Sequence, residues 1–311
     1  MELDSSVLGA PTILKLELLQ RTGSFKVRGA FNRILSAEGS ATGVIAASGG
    51  NHGLGTAHAA RALGLRAEIF VPESSPTVKV ERLRALGAHV TIAGAFYADA
   101  YEASAARAAV TGALVVHAYD QLEVAAGQGT LALELEQQAG ALDTVLVPVG
   151  GGGLVAGIAA ALESRCQVVA VEPERISTLH SALAADRPVD VPVAGLAADS
   201  LGARRIGQVC FAIAKRTGMR SVLVPDDAIA TARRLLWDEL RVTAEHGGAT
   251  ALAALLCGAY EPAAGERLAV VISGGNTDPG TLVAPKPTAD SSDMVQDAAP
   301  GAPVGVAEQS A

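Results

Sequence analysis

Lys26 is the residue of this 311-residue sequence whose surroundings best suit covalent chemistry. It lies in the segment TGSFKVRGA at 22–30, which contains no acidic residue. Thr22 and Ser24 are of types that cap helices, so we expect a helix with Lys26 in its first turn. Burial lowers the pKa of a lysine from about 10.4 and suits the amine to Schiff-base formation. A lone lysine is otherwise more often a surface charge, and the residues around Lys26 decide between these interpretations.

A run of four glycines is the second candidate. It follows an apolar strand predicted at 144–149 and precedes a helix expected to begin near Leu154. Glycine N–H groups can approach a ligand closely, and a helix N-terminus attracts anions. The run therefore predicts a phosphate site, although a tight turn alone also fits it. The dinucleotide pattern G-x-G-x-x-G is matched poorly because its third glycine, Gly157, falls late, while Glu172 meets the acidic position further on. The four residues are Gly150, Gly151, Gly152 and Gly153.

The tetrapeptide Ser-Gly-Gly-Asn occurs twice, at 48–51 and at 273–276. Each copy directly follows an apolar run that is predicted to be a strand. In open α/β sheets, ligands bind beyond the carboxyl ends of the strands. The two turns are therefore expected to face one site from different sheets, although a glycine-rich chain can also repeat a tetrapeptide by chance.

The elements that must position these motifs alternate along the chain between short β-branched runs and alanine-rich helical stretches. Most predicted strands are continuously apolar, as expected for strands covered on both faces. The alternation predicts an α/β fold with right-handed βαβ units and mostly parallel sheets. We expect strands at 12–17, 43–47, 67–71, 89–93, 144–149, 167–171, 221–224 and 268–272. We expect helices at 53–63, 77–86, 121–139, 154–162, 201–217 and 226–242.

Composition excludes several classes of function. The net charge of −8 argues against nucleic acid as a partner, because phosphate backbones require clustered Lys and Arg. No apolar run approaches the roughly 20 residues that cross a bilayer, so no membrane partner is expected. The cysteines lie far apart without metal-ligand spacing, which indicates structural thiols and a cytoplasmic protein. They are Cys166, Cys210 and Cys257.

Five segments occur in order along the chain: KLE at 15–17 with QRTGSFKVRGA at 20–30, ASGGNHG at 47–53, AGQGT at 126–130, the four glycines, and SGGN at 273–276. Together they closely resemble the threonine dehydratase and serine racemase family of fold-type II pyridoxal-phosphate (PLP) enzymes, and the threonine/serine dehydratases most. The resemblance covers residues 12–283. It implies a tryptophan synthase β-like fold, with two open, mostly parallel α/β domains and PLP in the cleft between them.

The resemblance also implies a role for each motif. Lys26 carries PLP as a Schiff base and then takes the α-proton of the amino acid. The four glycines hold the cofactor phosphate, Asn51 meets the ring hydroxyl, and Ser273 meets the pyridine nitrogen. His52 is expected to orient its loop, and Glu245 is expected near the ring. The substrate carboxylate is received by one stretch of the chain: Ser48, Gly49, Gly50, Asn51 and His52.

The implied reaction is the dehydration and deamination of L-threonine or L-serine to 2-oxobutyrate or pyruvate plus ammonia. A hydroxyl at Ser273 does not enforce a charged pyridinium, which favours prompt loss of a β-hydroxyl. Serine racemases of the family have a second serine where this chain has Gly49, and an arginine in a segment that here, at 95–101, has none. Both differences favour a dehydratase. The alternatives are a serine racemase, a cysteine synthase-like β-replacement enzyme, and a catalytically inactive PLP-binding paralogue; 3-hydroxyaspartate is a further candidate substrate.

Two α/β domains and a tail are expected. The large PLP-binding domain comprises 1–42 and 121–283, and the small substrate-loop domain comprises 43–120. The segment 284–311 has prolines and small polar residues without apolar periodicity, which predicts a disordered tail. We expect a homodimer that acts on a small hydroxy-amino acid. No metal is expected, because Glu172 is followed by Thr178 where some family members have a second carboxylate.

Overall fold

The structure is a computed structural model that describes residues 1–4, 8, 10–37 and 41–282. The predicted tail at 284–311 lies outside the described residues. Within the described ranges, no helix is long and apolar enough to cross a membrane.

Every predicted strand is present, with ends that differ by no more than two residues. Two further strands, β1 and β6, have only two residues each, too few for a periodic pattern to reveal them. The strands of the described residues are β1 (Glu2–Leu3), β2 (Thr12–Leu16), β3 (Val44–Ala47), β4 (Ala67–Val71), β5 (His89–Ile92), β6 (Leu114–Val115), β7 (Thr144–Pro148), β8 (Gln167–Pro173), β9 (Arg220–Val224) and β10 (Leu268–Ile272).

The strands form two separate sheets, and all pairs are parallel except β1 with β2. The six-stranded sheet has the order β1-β2-β10-β7-β8-β9, and the four-stranded sheet has the order β5-β4-β3-β6. In the larger sheet β10 lies between β2 and β7. The segments that leave the carboxyl ends of these three strands therefore emerge side by side.

Helices cover the connections between the strands. They are α1 (Lys26–Leu35), α2 (Asn51–Ala62), α3 (Thr77–Ala85), α4 (Tyr97–Thr111), α5 (Leu122–Ala139), α6 (Gly153–Leu162), α7 (Thr178–Ala184), α8 (Ala198–Leu201), α9 (Gln208–Thr217), α10 (Asp226–Leu240) and α11 (His246–Leu256). The prediction of one helix over 201–217 is wrong, because α8 ends at Leu201 and α9 begins at Gln208. Gly207, before α9, is extended, donates its N–H to the carbonyl of Gly151 at 3.1 Å and lies against the Asp120 side chain, which leaves no space for a Cβ.

The larger sheet is buried on both faces, as its continuously apolar strands predicted. Along β10, Val270 and Ile272 belong to one apolar cluster, whereas Ala269 and Val271 belong to the cluster on the opposite face. Residues of α10 and α11 complete the first cluster, and residues of α5 and α6 complete the second. Burial on both faces explains why the strands are apolar throughout.

Candidate active site

A small cleft lies where the carboxyl ends of strands from both sheets meet. The larger sheet contributes Lys26, the four glycines and Ser273, and the smaller sheet contributes Asn51. The structure thus brings together every cofactor-binding residue that the sequence predicted. Four predicted substrate residues do not line this cavity: Ser48, Gly49, Gly50 and His52.

Lys26 is the first residue of α1, as predicted, but the predicted caps are wrong. Thr22 has a φ of 65° inside a 3-10 turn, Ser24 is extended, and neither hydroxyl has a hydrogen-bond partner. The cause is a β-bridge between Ser24 and Gly274, after which the next backbone N–H donates to the carbonyl of Ser273 at 3.1 Å. This bridge holds the start of α1 against the turn that follows β10.

Lys26 is half-buried in the wall of the cleft, and its amine donates to the backbone carbonyl of Ala118 at 2.7 Å. Burial lowers its pKa from 10.5 to about 8, although the negative charge of Glu245 opposes the shift. At pH 7 about one such amine in ten is unprotonated, against about one in 3,000 for a pKa of 10.5. Lys26 is therefore poised as a nucleophile and a base.

The four glycines form an anion cradle between β7 and α6. Among the described residues, no acceptor takes the N–H groups of Gly150, Gly151, Gly152 or Gly153. Gly152 has a φ of +91°, which a side chain rarely tolerates, and a Cβ on Gly151 would overlap the ring of Tyr119. Buried donors without partners are costly, so a site that leaves several together is suited to an anionic ligand.

The AGQGT segment at 126–130 lies in α5 and supports α1 instead of lining the cleft. A Cβ on Gly29 would overlap the Gln128 amide, and a Cβ on Gly127 would lie 2.7 Å from the Cα of Gly29. These glycines let the two helices approach closely, which fixes the helix that begins with Lys26.

Charged residues tie the same helix to the larger sheet. Arg28 donates through Nε and Nη2 to both carboxylate oxygens of Glu17, at 2.7 and 2.8 Å, and through Nη2 to Glu134. Lys15 also donates to Glu134, at 2.8 Å. Although partial burial raises the pKa of Glu134, the hydrogen bonds from Lys15 and Arg28 lower it to about 2. Glu134 therefore stays ionised and paired with both cations, beneath the start of α1.

The two Ser-Gly-Gly-Asn turns meet, which confirms the prediction that they face one site. Asn276 donates its amide to the Oδ1 of Asn51 at 2.6 Å and to the carbonyl of Thr22 at 2.7 Å. The amide of Asn51 in turn donates to Glu245 at 2.6 Å. Asn51 is thus held from both sides by residues whose segments belong to the larger sheet.

Glu245 lies in the cleft, as the resemblance implied. Burial raises its pKa to about 7, although the hydrogen bond from Asn51 opposes the shift. A group with this pKa exchanges its proton near neutral pH. The sequence indicated this residue only weakly, because the residues around it match the family poorly.

His52 is buried, and its Nε2 lies 2.8 Å from the carbonyl of Val116. Burial and the nearby charge of Lys26 lower its pKa to about 3. A neutral, hydrogen-bonded imidazole does not exchange protons near neutral pH. The geometry is therefore consistent with the predicted role in orienting the loop.

Sequence reasoning missed an aromatic group beside Lys26. The rings of His117 and Tyr119 are 4.8 Å apart, those of Tyr101 and His117 are 6.1 Å apart, and those of Tyr97 and Tyr101 are 6.3 Å apart. Tyr119 lines the cleft. Single aromatic residues in a loop and at a helix start carry no pattern that would predict their contact.

Glu172 is buried, and its oxygens accept hydrogen bonds from the backbone N–H groups of Leu179 and His180 and from the hydroxyls of Thr178 and Ser221. Protein donors therefore occupy this carboxylate. Within the described part of the chain, no group of three or more His, Cys, Asp or Glu side chains is arranged to hold a metal ion.

A family described as pyridoxal-phosphate dependent enzyme matches residues 2–274. An L-threonine ammonia-lyase of Thermotoga maritima is 39% identical over 279 residues, covering 88% of this chain and 69% of that protein. A phenylserine dehydratase of Ralstonia pickettii is 38% identical over 281 residues, covering 89% and 86%. The solved structure of maize serine racemase superposes with a TM-score of 0.83 and 32% identity, covering 89% of this chain and 87% of that one.

Proposed function

Because this chain belongs to the pyridoxal-phosphate dependent enzymes, we propose that its cleft catalyses the β-elimination of a 3-hydroxy amino acid, L-threonine or L-serine. The products are 2-oxobutyrate or pyruvate, together with ammonia. One observation carries the proposal: a buried amine with a pKa of about 8 lies in a cleft whose walls hold unpartnered N–H groups. The similarity to an L-threonine ammonia-lyase supports the choice of reaction.

The residues of the cleft fit PLP. The unpartnered N–H groups of the four glycines would hold its phosphate, and the amine of Lys26 would bind its aldehyde carbon. Asn51, whose amide keeps one N–H free, would meet the ring hydroxyl. The hydroxyl of Ser273, which has no partner among the described residues, would meet the pyridine nitrogen. When bound, PLP supplies an electron sink that stabilises negative charge on the substrate Cα.

Lys26 and the loop at 48–52 then orient the substrate and move its proton. The Nζ of Lys26 takes the α-proton, and a pKa of about 8 suits a base that works near neutral pH. The carbonyl of Ala118 directs this amine by its hydrogen bond. Helix α2 begins at Asn51, so its first N–H groups and its dipole favour a carboxylate at this end of the cleft.

Gly49 favours elimination over racemisation, because it offers no hydroxyl to protonate a second face of Cα. One observation makes racemisation of serine a second candidate activity. The hydroxyl of Ser75, which has no hydrogen-bond partner among the described residues, lies 3.5 Å from where a Cβ of Gly49 would be. Release of D-serine from L-serine, and its loss in Ser75→Ala, would establish this activity. Absence of D-serine would leave elimination alone.

The aromatic rings beside Lys26 favour a second class of substrate. An aryl group on the β-carbon of the substrate would pack against the rings of Tyr119 and His117, and it would make more contact with them than the smaller methyl group of threonine. The similarity to a phenylserine dehydratase supports this candidate. An assay of 3-phenylserine beside threonine and serine tests this candidate.

A keto-acid assay tests the function directly. The purified protein with added PLP should release 2-oxobutyrate from L-threonine or pyruvate from L-serine, and Lys26→Ala should abolish both. Lys215→Ala is the control, because Lys215 is an exposed lysine that pairs with Asp186. Borohydride reduction followed by peptide mapping should place the pyridoxyl group on Lys26. An active Lys26→Ala variant, or an adduct on another lysine, would refute the assignment.

We further propose the division into a large domain (1–42 and 121–283) and a small domain (43–120), a homodimer, and a cytoplasmic location. The four-stranded sheet lies wholly within 44–115, which supports the division. Leu122 and Leu133 lie three turns apart on one exposed face of α5 and would suit a dimer interface. Sedimentation analysis of Leu133→Arg would test the interface.

All three cysteines are free thiols, as in proteins of reducing compartments, which supports the cytoplasmic location.

A further inference from the structure

Arg233 is a buried cation that no carboxylate pairs with among the described residues. It lies on α10 with 5% of its surface exposed. Burial lowers the pKa of its guanidinium, and the charge of Glu245 opposes the shift. A buried charge is costly unless its hydrogen bonds are satisfied, so the partners of Arg233 indicate what it does.

Its hydrogen bonds reach two segments that are distant in sequence. The Nε donates to the carbonyl of Ala244 at 2.8 Å. The Nη2 donates to the hydroxyls of Thr277 at 2.9 Å and Thr281 at 2.5 Å. The Nη1 lies 3.4 Å from the Nε2 of His246. One side chain therefore ties the start of α11 to the turn that follows β10.

Each of these segments holds one side of the Asn51 amide. Ala244 directly precedes Glu245, which accepts from the Nδ2 of Asn51. Thr277 directly follows Asn276, which donates to the Oδ1 of Asn51. Arg233 thus contacts the residues next in sequence to both partners of Asn51, Ala244 and Thr277, although it does not line the cleft itself.

We propose that Arg233 is a positioning residue that sets the orientation of the Asn51 amide by fixing the segments of Glu245 and Asn276 relative to each other. The inference rests on the proposed contact of Asn51 with the PLP ring. When Arg233 is lost, either partner can move, the amide can turn, and its contact with the cofactor weakens. Lysine cannot replace arginine here, because its single nitrogen cannot occupy the separate positions from which Nε, Nη1 and Nη2 make their contacts.

The experiment measures PLP affinity and the visible absorbance of the lysine-bound cofactor, neither of which requires turnover. Arg233→Met and Arg233→Lys should each weaken PLP binding about tenfold, or about 1.4 kcal/mol, and shift the pH dependence of the band. Thr277→Val should produce a smaller change in the same direction, and it keeps the test available where Arg233→Met folds poorly. Arg234→Met is the matched control, because Arg234 is the exposed neighbour on the same helix.

Coupling to Asn51 separates positioning from a general effect on folding. If Arg233 acts through Asn51, the tenfold effect of Arg233→Met should fall to less than about twofold in an Asn51→Ala background. Full additivity in the double variant would overturn the inference, as would a lower melting temperature with unchanged PLP affinity and absorbance. Failure of the wild-type protein to bind PLP would instead refute the proposed function.

Discussion

Replacing Lys26 with methionine should stabilise the cofactor-free protein at neutral pH while it abolishes activity. Desolvation lowers the pKa of the amine in the folded protein from 10.5 to about 8. The unfolded chain therefore holds this proton more tightly than the folded protein does. Methionine fills a similar volume and carries no charge to desolvate.

The magnitude follows from the pKa. The difference between 10.5 and about 8 is about 2.5 units, which at 1.36 kcal/mol per unit corresponds to about 3 kcal/mol of destabilisation. The variant also loses the hydrogen bond to the carbonyl of Ala118, at a cost of about 1–2 kcal/mol. We therefore expect the free energy of unfolding to rise by about 1–2 kcal/mol at pH 7.

The sign of this effect depends on pH. The destabilisation by Lys26 is fully present below pH 8, the pKa in the folded protein, and is lost as the pH rises from about 8 to 10.5. At pH 10 it falls below about 1 kcal/mol, and the lost hydrogen bond then makes the variant the less stable protein.

Urea unfolding of the cofactor-free proteins at pH 7 and pH 10 measures both values. Lys215→Met, at an exposed position, should change stability by less than about 0.5 kcal/mol at either pH. A Lys26→Met protein that is less stable than wild type at pH 7, or an advantage that does not shrink toward pH 10, would refute the reasoning.

Three further predictions concern the surroundings of Lys26. Gly152→Ala should weaken PLP binding at least about tenfold and destabilise the protein by about 1–3 kcal/mol. The reason is that Gly152 has a φ of +91° and that a Cβ would lie 2.5 Å from the buried sulfur of Cys210. Calorimetric titration measures the first effect, and thermal unfolding measures the second. Glu245→Gln should lower the pKa of Lys26 below about 8, because the charge that raises it is removed, and the pH profile of kcat/KM should shift to lower pH. Arg28→Met should lower stability by about 2–3 kcal/mol in urea unfolding, because the buried carboxylate of Glu17 loses both hydrogen bonds from the guanidinium and keeps only the ammonium of Lys15, 4.0 Å away.

Each of these variants has a matched control. Gly218→Ala also places a side chain at a positive φ, of 64°, but in open space away from the cleft, so PLP affinity should not change. Glu239→Gln removes an exposed carboxylate and should leave the pH profile in place. Arg216→Met breaks an exposed ion pair with Glu163 and should alter stability by less than about 1 kcal/mol. A control that behaves like its test variant would contradict the corresponding explanation.

Local patterns in the sequence were enough to predict most elements of the fold. Continuous apolar runs predicted the strands of the larger sheet, because a strand covered on both faces needs apolar side chains throughout. The same patterns failed where local chemistry competed with a distant contact. Ser24 is of a residue type that often caps helices, but its backbone pairs with Gly274 instead. Residues 202–207 interrupt a helix that the sequence predicted as continuous.

The sequence by itself determined the chemistry available to this protein: an amine at Lys26, a glycine run whose N–H groups suit a phosphate, and two turns at strand ends. Only the tertiary structure decided that Asn51 and Asn276, 225 residues apart, would share a hydrogen bond, and that Arg233 would hold both segments beside them. The reason is physical. Residue types and backbone demands act over a few neighbours along the chain, whereas these contacts depend on β10 lying between β2 and β7 and on how the two sheets meet.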